Sequence, residues 1–276
     1  MNLRIFIKNL FPKKHTKIIY KIFKYFFKIL KYIAKGYDVN DPAVQIYICT
    51  KDIKSYLSVN NFLSYFSPKI NSNGFIEITL YSNDGKKKIS EEYKLKNLET
   101  EYIDINKILK KYSFDSQYGI ITSVFYPSNR YSKKIFDFGT VSNQPYIFYR
   151  DKNQSMGMVH SLSTLGSQSP SPEWKSNQAI TTEKLDNLFL YQCNPSFNDF
   201  KATYSFLDIE KKYTIISKSV KIPKKGVTKV SFKDKMKLLK HHKYIQLYAN
   251  SGLPSCNSKP ILFREFQEGI FSISHT

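Results

Sequence analysis

The sequence predicts an all-β protein: two tandem duplicated antiparallel β-sandwich domains preceded by a basic amphipathic α-helix. Three observations carry this expectation. From residue 44 onward, short runs rich in Ile, Val, Tyr, Phe and Thr alternate with period 2 or stay apolar. The chain also matches itself at one fixed offset. Positive charge, finally, is gathered in two places rather than spread.

The 276 residues carry 43 Lys/Arg against 22 Asp/Glu, a formal charge of +21. A hydrophobic content of 41% supports a packed core and excludes a disordered chain. Three cysteines in this length are too few for a disulfide framework. Cys49, Cys193 and Cys256 are expected as reduced thiols. The richness in Lys, Ile, Asn, Tyr and Phe fits an AT-rich codon bias, but such a bias would spread lysine evenly. Residues 1–36 instead carry +10, residues 37–200 only +1, residues 201–243 another +10, and residues 244–276 none.

In residues 1–37, Lys17, Lys21, Lys24, Lys28, Lys31 and Lys35 are spaced 4, 3, 4, 3, 4. At about 100° per residue they fall within an arc of roughly 80° on a helix, and the positions between them are apolar or aromatic. Gly36 provides a stop. A secretory signal peptide needs an uninterrupted apolar stretch, and a transmembrane span would bury mid-helix lysines; neither fits. An interfacial helix fits, with lysine heads on anionic lipid and Tyr20, Tyr25 and Tyr32 at the headgroup boundary. Packing of the apolar face on the protein itself is the competing reading.

The strands expected next begin with VQIYICT (44–50) and FIEITLYS (75–82), with a turn at Asn83-Asp84-Gly85, and end with PILFR (260–264) and IFSIS (270–274). An ungapped offset of 127 aligns eight identities over residues 62–109. These pair Phe62-Leu63 with Phe189-Leu190, Pro68 with Pro195, Asn71 with Asn198, Leu80 with Leu207, Ile89-Ser90 with Ile216-Ser217, and Lys94 with Lys221. Each half closes with an apolar strand ending in Arg, a turn, and a strand ending in His. The expected organisation is a basic helical segment at 1–37, β-sandwich repeats at 43–161 and 185–276, and a Ser/Pro-rich connecting loop at 162–184 that holds the only tryptophan, Trp174.

In the second repeat, NPS at 194–196, IPKKGVTKVSF at 222–232, a proline before the next strand and a terminal His resemble the sensory rhodopsin transducer family. The resemblance implies a small β-sandwich module that oligomerises, among relatives regarded as binding domains, some with a carbohydrate connection. It brings no catalytic motif.

Hydrolytic triads, phosphate loops and zinc-finger spacings are absent from the sequence. Of the five histidines, His160 and His275 stand at matching strand ends, behind Arg150 and Arg264. One reading makes each a structural cap; the other pairs His160 with Arg150 and His275 with Arg264 as an anion or sugar pocket. A metal site using His160, His275 and Cys256 would need the repeats to face each other, and no metal or other cofactor is expected. His241-His242 reads as a solvated basic turn. Asn143, Asn257 and Trp174 complete the candidate binding residues, since amides beside aromatics equip sugar sites and also form ordinary β turns.

In the second basic focus, Lys218, Lys221, Lys224, Lys225 and Lys229 read either as edge protection or as a contact for an anionic partner. Nucleic acid is the weaker partner, because arginine and interleaved stacking aromatics are missing there. The expectation is a bacterial-type cytoplasmic protein, peripheral to the inner face of the membrane, which binds a glycoconjugate or protein partner without catalysis. An enzyme acting on sugars or lipid-linked glycans through the His/Arg pairs, and a homo-oligomeric scaffold, are the rivals.

Overall fold

Antiparallel strands dominate the structure, a computed structural model that describes residues 22, 43–61, 64, 73–127, 145–160, 162–163, 173–176, 178–251 and 260–275. Apart from Ile22, the expected basic helical segment and its six lysines lie outside the described residues. So do Asn143, Asn257 and Cys256.

The first half contains β1 (Ala43–Ile48), β2 (Ile53–Asn60), β3 (Gly74–Ser82), β4 (Lys88–Leu95), β5 (Thr100–Asp104), helix α1 (Ile105–Lys111), β6 (Tyr118–Pro127), β7 (Tyr146–Asp151), β8 (Met156–His160) and β9 (Leu162–Ser163). The second contains β10 (Glu173–Lys175), β11 (Ile180–Thr181), β12 (Leu185–Asn194), β13 (Phe200–Asp208), β14 (Thr214–Ile222), β15 (Gly226–Ser231), a 3-10 turn at Lys233–Lys235, helix α2 (Met236–Leu239), β16 (Tyr244–Ser251), β17 (Ile261–Phe266) and β18 (Phe271–His275).

Four sheets result. Sheet A has the order β4-β3-β6-β1-β9, and sheet B the order β5-β2-β7-β8. Sheet C runs β14-β13-β16-β10, with β11 also on β16, and sheet D runs β15-β12-β17-β18. The strand orders of A and C therefore match, as do those of B and D, with β10 and β11 together standing where β1 stands. The stretch 162–184 is thus no simple connecting loop. It supplies β9 to sheet A and β10 and β11 to sheet C.

Pairing registers give the residue correspondence. Ile89 pairs with Leu80 and Ile216 with Phe206, so Leu80 matches Phe206 and not Leu207. The identical spacing of buried positions in the two strands agrees. Opposite Phe206 and Leu207 a bulge adds Ile215 to β14, so the ungapped offset is one residue wrong before it and holds after it for Ile89/Ile216 and Lys94/Lys221.

Each helix closes one sandwich with its apolar side: Ile105, Ile108 and Leu109 from α1, Met236 and Leu239 from α2. The carboxylate of Asp104 caps α1 by accepting from the backbone N–H groups of Asn106 and Lys107. Between sheets C and D lie Leu188, Leu190, Tyr204, Phe206, Leu247 and Leu262. The other face of β12 contributes Phe189, Tyr191 and Cys193 to a core shared with the first half, in which Val44, Ile46, Ile48 and Ile121 take part. Burial on both faces explains why LFLYQCN reads as a run and not as an alternation.

On the face of sheet D that enters the shared core, Phe263 stacks between Phe189 at 4.8 Å and Phe271 at 5.0 Å, and Tyr118 of the first half meets Tyr191 of the second edge-on at 5.3 Å. Val227 N–H donates to the Asn83 carbonyl at 2.8 Å. Gly85, at φ +71°, is required at this junction, because a Cβ there would stand 2.0 Å from the Lys224 carbonyl oxygen.

Candidate functional site

Three places on the molecule carry chemistry that the folding core does not use. The first is the outer face of sheet B. Register aligns Tyr102, Ser58, Tyr146 and His160 across it, then Asp104, Tyr56, Phe148 and Met158, then Lys54, Arg150 and Met156. On a solvent-facing sheet surface, alternation should place polar residues here. Instead Tyr102, Met156 and Met158 are 59%, 62% and 53% exposed, and Tyr102 lies against Phe148 with ring centroids 5.4 Å apart. Arg150 and His160 are exposed on this same face, so the structure does bring them onto one surface. They are not a contacting pair: Arg150 pairs with Met156 and His160 with Tyr146, four residues apart along β7 or roughly 13 Å.

The second place is the end of the second sandwich around α2. The turn after β13 meets the segment 240–243 there, and Lys240 pairs with Asp186 at 3.6 Å. Lys211, Lys212, Lys233, Lys235, Lys237, Lys240 and Lys243 all stand exposed at this end, with Leu238, Tyr213 and Tyr244 among them. Beneath them His242 is nearly enclosed. Its Nδ1 meets Asp208 Oδ2 at 2.5 Å, and its Nε2 lies 3.5 Å from the Tyr213 hydroxyl. Asp208 also accepts from the Lys211 backbone N–H at 2.6 Å; that bond first, then His242, holds its carboxyl below the usual range against desolvation. His242 is therefore not a solvated turn residue. The Asp208–His242 pair was missed in the sequence, where His241-His242 reads as part of a lysine run.

Of the expected lysine patch Lys225 is buried, while Lys218, Lys221, Lys224 and Lys229 are exposed. The Lys225 ammonium stands 4.3 Å above the Phe197 ring and 5.8 Å above Tyr81, at the junction of the halves. Lys229 stands 4.2 Å over Phe189, and desolvation lowers its pKa. Lys221 pairs with Asp199 at 2.6 Å, and Lys218 donates to the Ser231 carbonyl, tying edge strand β14 to edge strand β15. Lys224 is exposed near the same carboxylate: its charge helps to lower the Asp199 pKa, behind the hydrogen bond from Lys221, and its backbone N–H donates to Asp199. The 194–196 motif is a local knot: Asn194 accepts from Ser196 and donates to the carbonyls of Asn198 and Ile222.

The third place is Arg264. Its Nη2 donates to Ser272 Oγ at 2.7 Å and reaches Ser274 Oγ at 3.4 Å. In the backbone register Arg264 pairs with Ser272, and His275 with Ile261. The two arginines do not match. Arg150 corresponds in register to Glu265, and Arg264 to Tyr149. Trp174 stands in β10, paired with Ala249.

Among the described residues no group of three or more His, Cys, Asp or Glu could hold a metal ion, and no helix is long and apolar enough to cross a membrane. Burial pushes the Cys49 thiol up to about 12. Compared with protein-family models and with curated proteins, the chain matches none.

Proposed function

We propose that this is a non-catalytic binding protein made of a duplicated β-sandwich module, held at the cytoplasmic face of an anionic membrane and recognising a glycoconjugate through the outer face of sheet B. The observation that carries the reading is the apolar make-up of that face. A contiguous exposed patch of aromatic and methionine side chains marks an interaction surface. Tyrosine and phenylalanine rings on a flat sheet suit the apolar face of a pyranose ring, and Arg150, His160 and Lys54 at the rim suit its hydroxyl or acidic groups. The matched strand orders of the halves favour duplication. Its halves have since diverged in use, because the corresponding outer face of sheet D is covered by the first half. Membrane attachment is supported by the 4-3-4-3-4 lysine spacing and by the basic end around α2, two signals where stable anchoring usually takes two.

The test uses the four methionines as methyl probes in the full-length protein. Neutral and acidic oligosaccharides are titrated while methyl spectra are recorded, and the same protein is floated with anionic and zwitterionic liposomes. The expected result is saturable movement of the Met156 and Met158 signals, with core Met236 unmoved, and flotation with anionic liposomes alone. Methyl signals unmoved by every sugar would remove the glycan partner. Protein that stays soluble with anionic liposomes at low salt would remove the membrane.

A further inference from the structure

Arg264 occupies a place where the first half keeps its core closed. The paired row Ile103, Leu57, Ile147 and Val159 of sheet B corresponds to Val230, Leu190, Leu262 and Ser274 of sheet D. One row along, Ser55, Tyr149 and Gly157 correspond to Leu188, Arg264 and Ser272. In the first half Tyr149 is fully buried and its hydroxyl crosses to the Ile46 carbonyl at 2.5 Å, satisfying the site from within. In the second half the same position bears a permanent positive charge flanked by two hydroxyls.

Among the described residues no carboxylate neutralises that charge, and the buried Arg264 Nε has no hydrogen-bond acceptor. Burial alone accounts for the downward shift of its pKa, with no carboxylate acting against it. The neighbouring Glu265 belongs to the other face of the sheet, where it accepts from Asn187. A desolvated guanidinium with an unused N–H costs stability unless something compensates it. Nη2 gives its hydrogens to Ser272 and Ser274, so the unused Nε–H is left as the charged donor for a carboxylate or phosphate oxygen, beside the two serine hydroxyls.

We infer that Arg264, Ser272 and Ser274 form a binding site for the oxyanion group of a small ligand, present in the second half only. The site is separate from the face of sheet B and from the membrane-facing lysines, and it stands whether or not those readings hold. The shared chemistry is a planar or tetrahedral oxyanion. Two sources supply it, the carboxylate of an acidic sugar or free inorganic phosphate or sulfate.

The chain has four arginines, Arg4, Arg130, Arg150 and Arg264, so its Nε–Hε spectrum contains four signals to assign, with Arg264→Met identifying one. Full-length protein is titrated with glucuronate, phosphate and sulfate at constant ionic strength, with glucose as the neutral control. The expected result is a saturable shift of the Arg264 signal at millimolar anion while Arg150 stays in place. Movement with glucuronate alone assigns an acidic sugar; movement with phosphate or sulfate assigns the inorganic ion. No shift with any of the three, or equal shifts at Arg150 and Arg264, overturns the site. As a second measure, Arg264→Met melts in anion-free buffer at or above the wild-type temperature, and millimolar anion raises the melting temperature of wild type only. A variant that unfolds or melts more than 10 °C lower would make Arg264 a structural residue and overturn the inference.

Discussion

The carboxylate of Asp208 holds the imidazole of His242 by Nδ1 at 2.5 Å, with both side chains nearly enclosed beneath the lysines around α2. In register, Asp208 corresponds to Ser82 and His242 to Ser116, which close the equivalent turn of the first half with hydroxyls. Because Asp208 has a folded-state pKa below its unfolded one, its contribution to stability is present above the ordinary carboxylate range and is lost as pH falls through the folded value. Urea unfolding of wild type and Asp208→Asn, compared between pH 6 and pH 2, should show a steeper loss for wild type below about pH 4. Parallel curves would place the acid sensitivity elsewhere.

A Cβ at Gly157 would stand 2.0 Å from Ile273 Cγ2, where β8 meets β18. Gly157→Ala should therefore destabilise by about 1–3 kcal/mol through overpacking. Adding Ile273→Ala should recover part of that loss, a non-additivity that a double-mutant cycle measures directly.

Phe263 lies between two parallel rings in the core that the halves share. Phe263→Ala should cost about 3–5 kcal/mol. Since that core is continuous, the protein should unfold in one transition, with near-UV and far-UV dichroism coincident. Two separated transitions would mean that the halves melt independently.

Lys211, Lys233 and Lys237 stand at the exposed basic end. Near an anionic bilayer each lysine is worth about 1 kcal/mol, so the triple exchange to Glu should lower liposome affinity on the order of a hundredfold or more at low salt. Flotation across a liposome dilution series measures this, and thermal melts confirm that the variant folds.

Cys49 should be nearly inert in the folded protein. A thiol of pKa about 12 is ionised on the order of one part in ten thousand at pH 8, against about a quarter for an ordinary cysteine. Iodoacetamide labelling followed by peptide mass spectrometry should show modification of Cys49 on the order of a thousandfold slower than in denaturant.

Much of this architecture was readable from side-chain periodicity, because strands with one wet face alternate and strands with two dry faces do not. The correspondence between halves is readable from Ile89/Ile216 to Lys94/Lys221, beyond the bulge that adds Ile215 to β14. It slips by one residue in β13, which precedes that insertion, and at β12, whose counterpart in the other half is β2 and not residues 62–63. β10 and β11 hold three and two residues, too few to display a period. Lysine function proved least legible. The ammonium groups of Lys225 and Lys229 stand over aromatic rings that the fold brings from elsewhere in the chain, and nothing local distinguishes them from exposed Lys224. The sequence sets Arg264 beside His275, whereas in the fold its guanidinium meets Ser272 and Ser274, which only the pairing of β17 with β18 brings near.

The two-sided burial of β12 also bears on how the chain is made. Synthesis delivers Val44, Ile46 and Ile48 long before Phe189, Tyr191 and Phe263 leave the ribosome. For the time needed to translate the intervening residues, at about 5–20 per second, the nascent first sandwich exposes an apolar sheet face whose cover has not yet been synthesised. A translational pause before residue 185 would prolong that exposure and with it the opportunity for aggregation on the ribosome.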